Sequence, residues 1–410
     1  RNAKPFTAQE AFRAALVEMP PPPLPFAGAL RAFLMERGGV EFAEYRAAAR
    51  RPSREWSEEI ARVFSRYGGP DDTGGLDLWG PFFVREGPDG APEVLVKAPL
   101  DVQAVYSDRT KTGRTVPLVR EADPPEGIRV ASNPPRLGAL RAPRTGAGET
   151  VKPSDDEEAL EPGSGYLYSW DFGAYLRGES SALGPVREKD LWTLEPRTGI
   201  ALKSTRTVKE SHLYTAEFLR LRPGVGFCLR VDGGAEEELP ASGMMRLGGE
   251  GRCAAFRRVD RGEGWHGLPP ADDLVEPLSR SGRFRLVLLS PAVYRQGWLP
   301  DPVRESAGGY VLPLPGGGEA RLIAAAVGKP RPIVGWDLAA GAPRPLLWAV
   351  PPGSVYWFDA GAPLGAERAR ELLDWLHLSK NTMEPWDECP PLYRQAGFGL
   401  TAVGSLGNES

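Results

Sequence analysis

The sequence predicts an α+β protein in which two βαββαβ units lie side by side. Glycine (49) and proline (42) together make up more than a fifth of the 410 residues, which implies many turns around a β-rich scaffold. The 11 Trp, 15 Phe and 11 Tyr residues need burial, which argues against a disordered chain. Each half of the chain has a helix set among strand-like segments, as a βαββαβ unit requires.

The first half opens with helices. Prolines at 20–23 predict a rigid extended connector, and residues 26–34 predict a helix that ends at the Gly38-Gly39 pair. Two short amphipathic helices are expected within residues 41–67. Residues 79–85 and 93–97 predict paired strands, because Gly87-Pro88-Asp89-Gly90 between them is typical of a hairpin turn.

Residues 107–163 interrupt this pattern. Apolar residues become sparse, and a basic arm with Arg136, Arg141 and Arg144 is followed by an acidic run at residues 155–158. The segment is expected to be a long surface insertion, either a mobile loop or a hairpin that packs on a partner. A helix over residues 166–176 follows it.

The second half is expected to be rich in strands. Strands are predicted over residues 253–259, 283–290, 321–327, 333–338, 346–350 and 354–358. An amphipathic helix is predicted over residues 367–378, with Leu372, Leu373 and Leu376 facing inward, and a glycine-rich loop over residues 397–404. The boundary is expected near residue 210, which gives an N-terminal domain over residues 1–210 and a C-terminal domain over residues 211–410.

Residues 197–252 carry the strongest charge signal. Between residues 197 and 231, seven Lys or Arg residues stand against two Glu, in a chain whose net charge is −4. Such a local reversal of sign predicts a surface for an anionic partner.

The stretch closes on Arg246-Leu247-Gly248-Gly249-Glu250-Gly251-Arg252. This order is not GxGxxG, so a dinucleotide site is not expected. The glycines would bring backbone N–H groups close to phosphates, while the flanking arginines offer bidentate hydrogen bonds to them. The alternative is a tight turn that caps a helix.

Several functional classes find no support in the sequence. No apolar run of about 18 residues is present, so no membrane span is expected. Cys228, Cys253 and Cys389 are widely spaced, which favours free thiols in a reducing cytoplasm. No catalytic, metal or cofactor motif is recognised, so no catalytic residue, metal or cofactor is predicted.

The histidines offer one conceivable catalytic group. His212 would act as a general base on a ribose 2′-hydroxyl, but no second histidine accompanies it, and a contact to nucleic acid or a place at a strand end is favoured. His266 and His377 are expected to be structural or exposed. The chain starts at Arg1 rather than Met, which predicts a native chain longer by about 5–15 residues, one strand's length.

Short motifs spread over nearly the whole chain carry a family resemblance. They are Arg1-Asn2-x-Lys4-Pro5-Phe6, Pro21-Pro22-Pro23 with Ala27-Gly28-Ala29-Leu30-Arg31, Trp79-Gly80-Pro81, Arg197-x-Gly199-Ile200-Ala201-Leu202 with Leu213-Tyr214, the run 246–252, Gly335-Trp336-Asp337, Pro352-Gly353-Ser354-Val355-Tyr356 and Gly397-Phe398-Gly399. In this order and spacing the chain resembles the third-subunit family of the Cmr complex, the type III-B CRISPR RNA-guided effector, within the RAMP superfamily. It departs from that family in two places: the strand expected before the Arg-Asn motif is missing, and residues 107–163 match poorly.

The resemblance implies two ferredoxin-like (RRM-like) domains with long loop insertions, and a non-catalytic, Cas5-like role. Such a subunit binds the 5′ repeat-derived handle of the crRNA and meets target RNA only indirectly. It bridges the large polymerase/cyclase-like Cmr subunit to the backbone filament subunit, in antiviral RNA-guided defence in the cytoplasm and without a membrane.

The residues expected to contact RNA combine the basic stretch, its aromatic side chains and the motifs of the resemblance. Phosphate contacts are expected from the cations, base stacking from His212, Tyr214 and Phe398, and close backbone approach from the glycines. The set is Arg1, Asn2, Lys4, Arg31, Arg197, Lys203, Arg206, Lys209, His212, Tyr214, Arg246, Gly248, Gly249, Gly251, Arg252, Arg394, Gly397, Phe398 and Gly399.

Two rival functions stay open. One is a guide-RNA-processing endoribonuclease of the same superfamily that uses His212. The other is a pure protein scaffold whose basic loops face an acidic partner.

Overall fold

The computed structural model describes residues 17, 19–107, 109–121, 139–141, 157–179, 183–202, 208–233, 238–248, 251–259, 268–337 and 339–407, with the backbone alone for residues 121, 139, 141 and 199–216. The α-helices within these ranges are α1 (Leu24–Arg37), α2 (Phe42–Ala49), α3 (Glu58–Tyr67), α4 (Ser169–Leu176), α5 (Asp272–Ser279), α6 (Gly365–Leu376) and α7 (Pro391–Ala396). Single 3₁₀ turns span Ser53–Glu55 and Glu188–Asp190.

The strands of the first half and the central stretch are β1 (Asp77–Glu86), β2 (Pro92–Lys97), β3 (Val102–Ser107), β4 (Gly113–Pro117), β5 (Val119–Glu121), β6 (Ala139–Arg141), β7 (Glu157–Ala159), β8 (Tyr166–Tyr168), β9 (Trp192–Leu202), β10 (Val208–Leu221), β11 (Val225–Asp232), β12 (Ser242–Arg246) and β13 (Cys253–Arg257). Those of the second half are β14 (Arg283–Leu288), β15 (Arg304–Ser306), β16 (Gly309–Pro313), β17 (Glu319–Ala326), β18 (Arg331–Ile333), β19 (Trp336–Asp337), β20 (Ala342–Pro343), β21 (Leu347–Ala349), β22 (Val355–Asp359) and β23 (Thr401–Ser405). The fold is therefore mixed α/β, and all strand pairs between these elements are antiparallel.

The predicted helices of the first half are confirmed, and α3 shows why the sequence signals them well. Ser57 caps its N-terminus, accepting a hydrogen bond from Ile60 N at 3.3 Å, and acidic residues fill its first turn. Gly68 ends it with φ +80°, in the region that favours glycine. The buried face carries Phe64 and Tyr67. Farther along, the predicted helix over 166–176 is shorter than expected, since residues 166–168 form β8.

The predicted hairpin of β1 and β2 is also confirmed. Gly90 has φ +80°, and the turn closes with Gly87 N donating to Ala91 O at 2.8 Å. These strands lie in a four-stranded sheet of order β11-β1-β2-β8. When these four strands are numbered by their position in the chain, they lie side by side in the order fourth, first, second, third. This order differs from the one expected of a βαββαβ unit.

The six-stranded sheet has the order β15-β16-β17-β22-β14-β23. The four strands β17, β22, β14 and β23 lie side by side at one end of this sheet. Numbered by their position in the chain they are the second, third, first and fourth, which is the strand order of a βαββαβ unit. Helix α6 connects the third and fourth of these strands, as such a unit requires. Residues 289–318 link the first and second of these strands, β14 and β17. They contain the hairpin of β15 and β16 at the edge of the sheet, but no helix.

The predicted boundary near residue 210 falls inside β10. Strand β11 also lies beyond that boundary, yet it pairs with β1, for example Phe227 with Phe83. Strand pairing therefore shifts from one large sheet to the other only after Asp232. The larger hydrophobic core runs through both halves and includes Leu34, Leu286 and many residues between them, while a smaller cluster contains Phe83 and Trp192.

The predicted glycine-rich loop at residues 397–404 is wrong for its second half. Residues 401–405 form β23, which pairs with β14 and is buried along its whole length. Because both faces of this strand are covered, it lacks the alternation of polar and apolar residues that identifies a half-exposed strand. Residues 107–163 are not one loop either, since β4 and β7 pair with β3.

Candidate nucleic-acid interface

The central basic stretch forms a long two-stranded hairpin, which we call the arm (β9 and β10). Among the described strands β9 and β10 pair only with each other, from Trp192 opposite Leu221 to Leu202 opposite Val208. Trp192 anchors the foot of the arm, where its ring stacks on Phe83 at a centroid distance of 5.0 Å. Exposure increases away from the foot, as Leu194 is already 49% exposed. The arm thus extends from the core into solvent.

Two arginines of the arm share one carboxylate. Arg197 Nη2 lies 2.8 Å from Glu195 Oε1, and Arg220 Nη2 lies 2.6 Å from Glu195 Oε2. Hydrogen bonds from both guanidinium groups lower the pKa of Glu195. The two arginine side chains remain 52% and 66% exposed. Because two cations face one anion, this part of the arm carries a net positive charge that is open to an anionic ligand.

The motif at residues 246–252 forms the turn of a second hairpin, which we call the short hairpin (β12 and β13). The turn closes with Leu247 N donating to Arg252 O at 3.0 Å. Gly248 and Gly251 have φ +91° and +69°, which explains glycine at both positions. No heavy atom lies within 4 Å of a Cβ built at either position. The motif is therefore a turn, as the alternative interpretation held, but it joins two strands rather than capping a helix.

The two faces of the short hairpin differ. Phe256 packs on Phe33 of α1, with ring centroids 5.2 Å apart and nearly perpendicular planes. The opposite face, which is exposed, carries Met244, Arg246 and Arg257. Packing on α1 thus fixes the orientation of the hairpin and turns its arginines toward solvent.

The arm and the short hairpin meet at one aromatic ring. Arg252 Cζ lies 3.8 Å from the ring centroid of Phe218 on β10, and Arg197 Cζ lies 5.3 Å from the same centroid. Arg252 Nε is shielded from solvent and has no hydrogen-bond partner among the described residues. Packing on Phe218 therefore holds the Arg252 guanidinium at the junction of the two hairpins.

Phe218 and Arg220 take part in these contacts between side chains, although neither was among the residues predicted to contact RNA. A signal for them was present, because Phe218, Arg220 and Arg222 alternate along the strand and so share one face. The period-2 pattern thus placed an aromatic beside two cations, which is the composition of a single-strand binding surface.

Arg31 is an internal structural residue instead of part of the interface. Its guanidinium donates to Gly69 O at 2.8 Å, to Tyr67 O and to Tyr45 Oη, which holds the segment after α3. Burial lowers the pKa of Arg31. Since its donors are engaged with backbone carbonyls, the fold accounts for this arginine without RNA.

The C-terminal motif at residues 397–399 is also internal. Phe398 is fully buried and packs edge-on against Tyr393 at 5.5 Å, so neither face of its ring is open to a base. Gly397 ends α7 with φ +113°, and a Cβ there would lie 2.6 Å from Gly80 O. A Cβ on Gly399 would meet Met383 at 2.7 Å. Core packing explains all three residues, and the RNA contacts predicted for them stay predictions.

Arg394 is partly buried beside this motif. Its Nη2 donates to Asn381 Oδ1 at 2.6 Å. The remaining predicted residues lie outside the described part of the chain. They are Arg1, Asn2, Lys4, Lys203, Arg206 and Gly249, together with the side chains of Lys209, His212 and Tyr214 on β10.

The three histidines differ in how far the structure describes them. His377 is structural, as one of the two expectations held: its Nδ1 accepts from Val403 N at 3.2 Å, and its Nε2 lies 2.8 Å from Pro269 O. Burial lowers its pKa. His212 falls where the register of β10 shifts, between Val208 and Leu213. His266 lies outside the described residues.

The described residues contain no cluster of three or more His, Cys, Asp or Glu side chains arranged to hold a metal ion. No helix in the same part of the chain is long and apolar enough to cross a membrane.

Several solved structures resemble this chain, and two of them are type III-B Cmr-beta complexes. A chain of the type III-B Cmr-beta cryo-EM structure bound to cognate target RNA is 15% identical, over 98% of this chain and 93% of its own length, with a TM-score of 0.45. A chain of the type III-B Cmr-beta bound to cognate target RNA and AMPPnP, in state 1, is 14% identical over 98% and 95%, also with a TM-score of 0.45. No curated protein sequence matches. The profile of the CRISPR-associated protein family Cas_Cmr3 matches residues 1–406, nearly the whole chain, and so the protein belongs to the Cas_Cmr3 family that its motifs predicted.

Proposed function

We propose that this chain is a non-catalytic, RNA-binding subunit of the type III-B Cmr effector complex in the cytoplasm. It binds the 5′ repeat-derived handle of the crRNA and meets target RNA only indirectly. It also bridges the large polymerase/cyclase-like subunit to the backbone filament. Membership of the Cas_Cmr3 family supports the place in a CRISPR assembly.

One observation carries the RNA contact: the arm and the short hairpin join at Phe218 between Arg197 and Arg252. Exposed guanidinium groups beside an aromatic ring suit a single strand, because phosphates bind the cations while bases stack on aromatic faces. Within the described residues the proposed contacts are Arg197, Arg246 and Arg252, with the open turn glycines Gly248 and Gly251. The arm residues at 203–214 extend this set toward the tip.

Exposed apolar side chains support the bridging role. Trp336, Leu346 and Trp348 are 61%, 55% and 56% exposed, and all three lie within residues 336–348. Exposed large apolar groups at one location are typical of a protein contact. We expect the Trp336→Ala/Trp348→Ala variant to weaken association with a neighbouring subunit in a pull-down from the assembled complex, with handle affinity unchanged.

We also propose that the fold consists of two ferredoxin-like units. The strand order β17-β22-β14-β23 and helix α6 support the second unit. The first unit has a different strand order among the described residues, so it is proposed as a rearranged unit that ends after β11. Shared core packing joins the two.

Incubation of the protein with labelled repeat RNA, alone and within the assembled complex, separates the candidate functions. We expect binding without cleavage. Metal-independent cleavage that is lost in His212→Ala would instead establish the endoribonuclease. If the protein does not bind repeat RNA even in the assembled complex, the protein scaffold would be the remaining candidate function.

A further inference from the structure

A second aromatic surface lies near the foot of the arm, formed by residues of β8 and α4. Tyr168 and Trp170 stack with ring centroids 4.4 Å apart and an interplanar angle of 9°. Trp170 is 49% exposed. A ring with one face covered and half of its surface exposed presents its other face to solvent, where a further flat group can stack.

Hydrogen bonds connect this pair to the arm. Arg85 Nη1 donates to Tyr168 Oη at 2.9 Å, and Arg85 Nη2 donates to Asp190 O, also at 2.9 Å. Asp190 stands two residues before β9. Arg222 directly follows β10, and its Nε donates to Lys189 O at 3.2 Å. The surface is therefore continuous from the stacked pair through the turn at 188–190 to both strands of the arm.

The exposed charge along this surface is positive. Lys189 and Arg222 are exposed, and so are Glu188 and Asp190. Each of these two carboxylates is paired with a cation, Asp190 with Arg187 (Oδ2 to Nε 3.2 Å) and Glu188 with Lys97 (Oε1 to Nζ 2.9 Å). Asp171 accepts a hydrogen bond from Gly184 N at 3.3 Å. A cationic surface beside an open aromatic face is suited to a base and its phosphates rather than to an apolar protein segment.

We propose that the Tyr168–Trp170 pair is a stacking platform for one base of a single-stranded RNA whose backbone continues onto the arm. The inference rests on the proposed RNA-binding function and adds a contact that no motif of the sequence indicates. The base lies on the open face of Trp170, while Tyr168, held by Arg85, fixes the orientation of the indole ring. Lys189 and Arg222 bind the phosphates that lead toward Arg220 and Arg197.

The test uses the full chain and repeat-derived single-stranded RNA at several salt concentrations. We expect Trp170→Ala to weaken binding by about 5-fold or more, the effect of losing one base stack. The salt slope should not change, because no phosphate contact is removed. Trp170→Phe should retain most of the affinity, and Phe42→Ala, which removes an exposed aromatic on α2, should bind as the wild type does. Photo-cross-linking with 4-thiouridine RNA should label the peptide that contains Trp170.

Four outcomes would overturn the platform. Wild-type affinity of Trp170→Ala would do so while leaving the proposed function intact, provided that Arg246→Ala/Arg252→Ala loses binding. A Trp170→Phe variant that melts normally yet binds as poorly as Trp170→Ala would exclude stacking. Normal RNA binding of Trp170→Ala with impaired subunit association would assign the ring to a protein contact. Absence of wild-type RNA binding in the assembled complex would overturn both proposals.

Discussion

Asp101 and Arg285 form an ion pair in the interior of the protein, with Asp101 Oδ2 3.4 Å from Arg285 Nη1 and both side chains 1% exposed. Trp357 Nε1 donates to the same carboxylate at 2.9 Å, and Tyr175 Oη donates at 2.7 Å. The pair joins the segment before β3 to β14, so it connects the two halves of the chain. The Arg285 guanidinium also lies over the ring of Tyr175, with Cζ 4.2 Å from the ring centroid.

Removing the carboxylate charge should therefore destabilise the whole protein. We expect Asp101→Asn to lower the free energy of unfolding by about 3–5 kcal/mol, because it removes the carboxylate charge that faces the buried Arg285 cation. The matched control is Arg283→Gln, which breaks the partly exposed Arg283–Asp359 pair between β14 and β22 and should cost about 1 kcal/mol or less. Chemical denaturation measures both, and equal losses would contradict the assignment.

His377 should make stability depend on pH. Burial lowers its pKa in the folded state below the ordinary value of 6.5, so the unfolded chain binds the proton more tightly. Its contribution is complete above about pH 6.5 and decreases as the pH falls below that value toward the folded-state pKa. Wild-type stability should thus fall more steeply between pH 7 and pH 5 than that of His377→Gln. Parallel curves from thermal melts across this range would show that His377 is not responsible.

The arginines at the turn of the short hairpin should contribute to RNA affinity through phosphates. Each charge-assisted contact is worth roughly 1.5–3 kcal/mol, so Arg246→Ala/Arg252→Ala should weaken handle binding by on the order of 100-fold. The salt slope should fall by about 1–1.5, at roughly 0.7 for each phosphate of a single strand. Arg280→Ala removes a charge from α5, where the side chain is 78% exposed, and should leave the slope unchanged.

Arg252 also packs on Phe218, so the two single variants should differ. Arg246 is exposed, and Arg246→Ala should melt as the wild type does. Arg252→Ala should also lose about 0.5–1 kcal/mol of stability with the cation–π contact. A double variant that is destabilised but keeps the wild-type salt slope would exclude this turn from the RNA site.

Gly397 should tolerate no side chain, for reasons of packing. Gly397→Ala places a Cβ 2.6 Å from Gly80 O at a positive φ, and should destabilise the protein by more than the roughly 1–2 kcal/mol of a left-handed backbone alone. Gly361→Ala is the matched control, because Gly361 has φ +78° with no atom within 4 Å of its Cβ. Melting temperatures compare the two. A Gly397→Ala variant as stable as Gly361→Ala, but defective in RNA binding, would restore the RNA contact predicted for this motif.

The insertion should serve assembly and not RNA binding. The acidic run at 155–158 would repel phosphate, but Glu157 also pairs with Arg114 at 3.0 Å, and β7 completes the sheet of β3. A deletion that spares this strand, of residues 142–156, should leave handle affinity within a few-fold while weakening association with the large subunit. A large loss of RNA affinity in this variant would argue against the assignment.

Much of the local structure follows from nearest-neighbour chemistry. The capped helix α3, the β1–β2 hairpin with its Gly87–Gly90 turn and the apolar stripe of α6 could be predicted, because capping, turn geometry and periodicity act within a few residues. The family could be predicted too, because its motifs are short stretches of sequence that occur in a given order along the chain. The charge reversal of the central stretch predicted a cationic surface, and Arg197 and Arg220 are exposed there.

Burial depends on contacts between residues that are distant in sequence, and only the tertiary structure decided it. The same residue type has different roles: Arg31 holds the segment after α3, Arg285 neutralises Asp101 in the core, and Arg246 faces solvent on a hairpin. Phe398 is packed inside, whereas Phe218 joins two hairpins. The sequence by itself determined the family, most of the helices and the basic stretch. Which cations and rings remain available to a ligand was decided by packing, because desolvation and long-range contacts depend on neighbours that no local pattern specifies.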